Sequence, residues 1–115
     1  MLRAVLADQL RETGLTVVEA GNADDALAYL NSGGRADLVF SEIEMPGSMD
    51  GMELAERIHA QDADIPIILT SGKTWPRDHS GILTAFVPKP YDIPWAIAIV
   101  LATLGRARSD WGFPR

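Results

Sequence analysis

The sequence predicts an α/β domain built on a parallel sheet, and three observations carry that expectation. Helical and extended patterns alternate along the 115 residues, the order that layered α/β domains show. Residues 65–69 are apolar throughout and carry the β-branched Ile65, Ile67 and Ile68, which suits a strand buried on both faces. The segments that could carry chemistry all follow expected strands: Ser41-Glu42 with Met45-Pro46-Gly47, Thr70-Ser71, and Lys89-Pro90. In an open parallel sheet the loops at the strand C-termini gather at one end and form the site.

The elements follow in order. Leu2, Val5, Leu6 and Leu10 fall at helical spacing, with Arg3, Asp8, Gln9, Arg11 and Glu12 on the other face. Gly14 stands where a helix C-terminal glycine belongs, so a helix is expected over 2–13. Residues 15–20, with Val17-Val18 at the centre, read as a short strand. Asn22 is a suitable N-cap and Asp25 sits near the positive end of the dipole, giving a second helix over 23–31 with Ala26, Leu27 and Leu30 inward. The turn Ser32-Gly33-Gly34 ends it.

Residues 38–40 read as a buried strand, followed by a turn-rich loop over 44–51. Asp50 caps a third helix, 51–60, with Met52, Leu54, Ala55 and Ile58 toward the core. After the strand at 65–69, residues 72–82 carry the breakers Gly72, Pro76 and Gly81 and leave room for one or two helical turns at most. Residues 85–87 form a short strand closed by Pro88-Lys89-Pro90. Asp92 caps the last helix, expected over 93–106. One domain, 1–106, with a tail at 107–115, is the expected organisation.

Composition excludes several classes. The formal net charge is -6, opposite to what a nucleic-acid surface needs. There are no cysteines, so disulfides, thiolate metal sites and cysteine nucleophiles are ruled out. The longest apolar run, residues 95–104 broken only by Thr103, is shorter than the ~20 residues that cross a bilayer. Met1 leads into a mixed polar and apolar helix pattern rather than a secretory signal. The expectation is a cytoplasmic protein that meets other proteins and neither nucleic acid nor membrane.

Three stretches now resemble one family. "LVFSEIEMPGSMDGMELA" is similar to the third strand, acceptor loop and third helix of the bacterial response-regulator receiver domain. "DIPIILTSG" resembles its fourth strand with the switch hydroxyl, and "AFVPKPYD" its fifth strand with the site lysine. The similarity covers residues 2–106. It implies a flavodoxin-like, three-layer fold around a parallel sheet, in two-component or phosphorelay signalling. It also implies roles: Glu42 at the phosphoacceptor position, Thr70 as the switch hydroxyl, Phe86 at the switch aromatic, Lys89 as the site cation, and Met45, Pro46 and Gly47 in the acceptor loop.

Two departures from the family shape the functional expectation. The acceptor position holds Glu rather than Asp. The family's first strand, which ends in the acidic pair that holds Mg²⁺, has no counterpart ahead of the first helix. Treating residues 2–7 as that strand leaves only 9–13 for a parallel crossover, which needs about a dozen residues. Glu42 is then the one evident site carboxylate, with Glu44 and Asp50 as weaker alternatives. Mg²⁺ binding is expected to be lost or weak and no cofactor or metal site is expected. Glu42 either pairs with Lys89 and mimics the phosphorylated state or is a solvated carboxylate at a dead site.

Without the first strand, the strands at 15–20 and 38–41 lose their neighbour. Either the two close on each other, or a second chain fills the gap, or residues upstream of Met1 supply the strand; a rearranged or dimeric form is favoured. The last helix is apolar on every side rather than along one stripe. Trp95, Ile97, Ile99, Val100, Leu101 and Leu104 are therefore the candidate interface, for a homodimer or for docking.

The leading expectation is a stand-alone receiver domain that acts by phosphorylation-independent binding to protein partners, a histidine kinase or other phosphorelay components, and not as an enzyme. The second is a true phosphoacceptor whose N-terminal strand is absent from this sequence. A small enzyme lacks a catalytic constellation: His59, His79, Ser71 and Ser80 make no visible nucleophile–base pair. Gly33-Gly34 and Gly47 read as turn glycines, Met45, Met49 and Met52 as packing residues, and Trp75 and Trp111 as exposed candidates for a contact.

Overall fold

A computed structural model describes residues 2–73 and 81–110. Seven elements follow in chain order: α1 (Leu2–Glu12), α2 (Ala23–Asn31), β1 (Val39–Glu42), α3 (Gly51–Gln61), β2 (Ile67–Ser71), β3 (Ala85–Pro88) and α4 (Ile93–Asp110). The chain falls into two compact units, Met1–Glu19 with Tyr91–Arg115, and Ala20–Pro90.

The unit Ala20–Pro90 is built on a three-stranded sheet in the order β1-β2-β3. Both ladders are parallel, pairing Val39 with Ile67 and Glu42 with Thr70, and Ile68 with Ala85 and Thr70 with Val87. β2 is buried at all five positions, as a central parallel strand of β-branched residues should be. β1 runs past its apolar residues into Ser41 and Glu42, because the ladder pairs backbone groups whatever the side chain.

The helices start where capping chemistry places them. The Asn22 side chain accepts from Asp25 N at 2.8 Å and the Asp50 side chain from Glu53 N at 2.9 Å, each satisfying a first-turn donor. Ala23 and Leu27 of α2 and Leu54, Ala55 and Ile58 of α3 join Ile67 and Leu69 of β2, with Ile43 and Met49 from the intervening loop, in one buried core. Val39, Met45, Met52 and Phe86 pack against it.

In the other unit α1 and α4 lie against each other. Leu6, Ala7, Leu10, Ala96, Val100 and Thr103 are buried. Gly14 ends α1 with φ +98°, the left-handed cap that glycine adopts at least cost. Asp92 caps α4 by accepting from Trp95 N at 2.7 Å.

Two expectations need correction. Residues 15–20 form no strand and do not join the sheet. Residues 17 and 19 are tied instead to α1: Arg11 donates to Val17 O at 3.0 Å, and Glu19 pairs with Arg11 at 3.3 Å and Arg3 at 3.4 Å. Strand propensity is context-dependent, and a strand exists only when a neighbour supplies its ladder. Closure of 15–20 onto the strand at 38–41 is therefore not how this chain is arranged. The second correction is the length of α4, which continues past Arg106 to Asp110. The rest of the expected tail, 111–115 with Trp111, and residues 74–80 with Trp75, His79 and Ser80, lie outside the described residues.

Ile58 is 1% exposed in the core beneath β2. Ile58→Ala is expected to lower the unfolding free energy by ~2–4 kcal/mol through lost burial and a residual cavity. Arg57→Ala on the exposed face should cost less than ~0.5 kcal/mol. Urea titrations of the two variants check the contrast.

Candidate functional site at the strand C-termini

The parallel register brings the expected site residues to one end of the sheet. Glu42 closes β1, Thr70 and Ser71 close β2, and Lys89 follows β3 directly. Thr70 stands in register between Glu42 and Val87, and Ser71 beside Pro88. The Lys89 N–H extends the ladder one step by donating to Ser71 O at 2.9 Å. Lys89 Nζ makes an ion pair with Glu42 Oε1. Its side chains are 31% and 45% exposed, so screening holds its contribution to fold stability to about 1 kcal/mol or less. The pair's value is geometric: it fixes where the carboxylate stands.

Thr70 is fully buried. Among the described residues its Oγ1 finds no hydrogen-bond partner, a condition that costs ~1–3 kcal/mol for a buried polar group. Phe86 points the other way in the pleat, packing against the core with Leu69, its register partner. Thr70 and Phe86 thus fall on opposite faces of the sheet, as alternation along parallel strands in register requires.

The acceptor loop is tied at several points. Ile43 N donates to Thr70 O at 2.9 Å, and Gly51 N to Ile43 O at 2.8 Å. A Cβ on Gly51 would collide with the carbonyl oxygen of Glu42, so only glycine lets α3 start this close to β1. Ser41 Oγ lies 3.2 Å from Met45 Sδ. Pro46 and Gly47 are exposed, and Gly47 takes φ +104°. Beside it Ser48 Oγ donates to the Asp24 carboxylate at 2.9 Å, clasping the loop to the first turn of α2.

Sequence reasoning missed two contacts. Glu44, noted only as a spare carboxylate, accepts from Ser71 Oγ at 2.7 Å. Asp24, overlooked beside Asp25, makes the Ser48 clasp. Both join residues more than twenty positions apart, where no local period points to a partner. Of the candidate interface, Trp95 and Leu101 are exposed at 46% and 40%, and Ile97, Ile99 and Leu104 are half-buried. Val100 is buried and has no surface to offer a partner. His59 is half-buried on α3. Among the described residues no three His, Cys, Asp or Glu side chains converge as a metal site would require. No helix there is long and apolar enough to cross a membrane.

A parallel sheet whose C-terminal edge presents a carboxylate, a buried threonine and a lysine, one from each strand end, defines the class of signalling receiver modules. The chain belongs to the response regulator receiver domain family, whose model matches residues 1–94. It is 44% identical over 71 residues to the C4-dicarboxylate transport transcriptional regulatory protein DctD of Rhizobium meliloti, covering 62% of this chain and 15% of DctD. Against the transcriptional regulatory protein PhoP of Escherichia coli K12 it is 31% identical over 111 residues, covering 92% of this chain and 48% of PhoP. The chain thus spans no more than about half of these relatives.

Solved structures agree. The N-terminal domain of a response regulator/sensory box/GGDEF 3-domain protein from Carboxydothermus hydrogenoformans matches at TM-score 0.78 and 27% identity, covering 94% of this chain and 89% of that one. The TrrA response regulator of Thermotoga maritima, in complex with Mg(2+)-BeF, matches at TM-score 0.75 and 30% identity, covering 90% of this chain and 89% of that one.

Replacing Thr70 by the similarly shaped Val removes the buried, unpartnered hydroxyl. Thr70→Val is expected to raise the unfolding free energy by ~1 kcal/mol. Chemical denaturation decides it, and a loss of stability would mean that the hydroxyl has a partner in solution.

Proposed function

We propose that this receiver domain signals through contacts with protein partners while its site is held in one state by the Glu42–Lys89 pair, without phosphorylation. The ion pair carries this reading. Glutamate is one methylene longer than the family's aspartate, and its carboxylate already engages the lysine. Mg²⁺ is held by carboxylate and phosphate oxygens in near-octahedral array, and in-line phosphoryl transfer depends on such an ion to neutralise developing charge. Here Glu42 is committed to Lys89, Glu44 to Ser71 and Asp50 to the first turn of α3. Those residues do not fit a divalent ion, so its binding is weak or lost in this reading. The domain then serves as a cytoplasmic binding module rather than an enzyme, meeting a histidine kinase or another phosphorelay component.

Two observations favour a second reading, a genuine phosphoacceptor. The orphaned Thr70 hydroxyl beside Glu42 is a donor that a phosphoryl oxygen could use, and the similar TrrA structure is a complex with Mg(2+)-BeF. Acetyl phosphate with Mg²⁺, followed by mass spectrometry of the intact protein, separates the two. The first reading expects no phosphoryl adduct, and an acid-labile adduct on Glu42 would establish the second. Glu42→Gln, which keeps the shape and removes the charge, tests the mimic itself. Amide NMR shifts should spread to Thr70 and Phe86, whereas changes confined to residues 42 and 89 would make Glu42 inert.

The proposal includes a homodimer through the exposed side of α4, supported by the exposed Trp95 and Leu101 in its apolar stretch, residues 95–102. Sedimentation should show a dimer that Trp95→Glu converts to monomer without loss of helix content. A monomeric parent protein would remove this element.

A further inference from the structure

Glu44 and Ser71 make a second cross-link at the same end of the sheet, independent of the Glu42–Lys89 pair. Ser71 is 3% exposed and lies at the end of the central strand. Its hydroxyl donates to the Glu44 carboxylate, at 2.8 Å from Oε1 and 2.7 Å from Oε2. The same oxygen accepts the Lys73 N–H at 3.0 Å. The Ser71 carbonyl accepts Lys89 N at 2.9 Å. One serine therefore meets the acceptor loop through its proton, the start of the β2–β3 connection through its lone pair, and the end of β3 through its backbone.

The direction of these bonds has a consequence. A hydroxyl that donates to a carboxylate becomes more negative at oxygen, which makes it a better acceptor. The bond to Glu44 also fixes the χ1 rotamer of Ser71, aiming a lone pair at Lys73 N. The turn over residues 71–73 is thus stabilised by a carboxylate in another loop, 27 positions earlier in the chain.

We propose that Glu44 is a positioning residue that couples the acceptor loop to the β2–β3 connection through Ser71, so that displacing the loop loosens the turn at Lys73. This inference stands on the Glu44–Ser71–Lys73 chain alone and holds under either reading of the function.

Hydrogen exchange at the Lys73 amide is the test, with the amides of Ile68 and Leu69 as the global reference. Glu44→Ala leaves the immediate acceptor, Ser71 Oγ, in place, yet should speed Lys73 exchange about tenfold, the size expected for loss of a charge-assisted bond. Ser71→Ala should have at least that effect. Glu44→Gln and Ser71→Thr, which keep an acceptor and a hydroxyl, should restore most of the protection. Wild-type exchange at Lys73 in Glu44→Ala would overturn the proposal, leaving Glu44 as a passive contact. Equal acceleration at Lys73, Ile68 and Leu69 would overturn it too, since Glu44 would then serve general stability only.

Discussion

Everything at the site depends on the double ladder of β2. Because that strand is paired in parallel on both sides, the C-terminal ends of β1, β2 and β3 stop at one level, and their next residues share one edge. Parallel pairing cannot be made by a local turn; it requires crossovers, which α3 and the β2–β3 connection supply. The chemistry is therefore assembled from residues 42, 70 and 89, which share no local segment. Burial of β2 on both faces holds the register, since a slip by one residue would put Ile67 and Leu69 where Ile68 and Thr70 belong.

The ladder also sets the division of labour between the two faces. Leu69 and Phe86 pack with α2 and α3, so any movement of Phe86 must disturb the core of that unit. Thr70 carries its buried hydroxyl on the opposite face, with no hydrogen-bond partner among the described residues, which is a local cost at the end of the central strand. Glycine at 51 allows the backbone of α3 to approach Glu42 closely, and Asp24 holds Ser48, so the acceptor loop is anchored at both ends while Pro46 and Gly47 stay exposed between them.

Most of this was legible in the sequence where local rules decide it. α2 begins after Asn22 and α3 after Asp50 because cap side chains act within three residues. The family resemblance offered the bonding of Lys89 to Glu42 as one of two alternatives, the other being a solvated carboxylate, and the choice between them lay in the tertiary structure. Residues 15–20 show where local rules fail. Their Val-rich pattern is that of a strand, but a strand is a property of two segments, and the sheet here gives them no place. Glu44–Ser71 and Asp24–Ser48 escaped for the same reason: they are consequences of register and loop path, set by tertiary structure.

The two glutamates of the acceptor loop then take on distinct roles. Glu42 meets a cation and Glu44 meets a hydroxyl, so the loop is joined to β3 by charge and to β2 by a neutral donor. Salt screens the first contact, whose members are partly exposed, far more than the second, whose serine is buried. Loss of the ion pair would free the Glu42 carboxylate while Ser71 still held the loop in place. The Glu42 position can therefore change its charge state without the loop leaving the sheet, so that any response travels through the side chains lining the strand ends rather than through displacement of the loop.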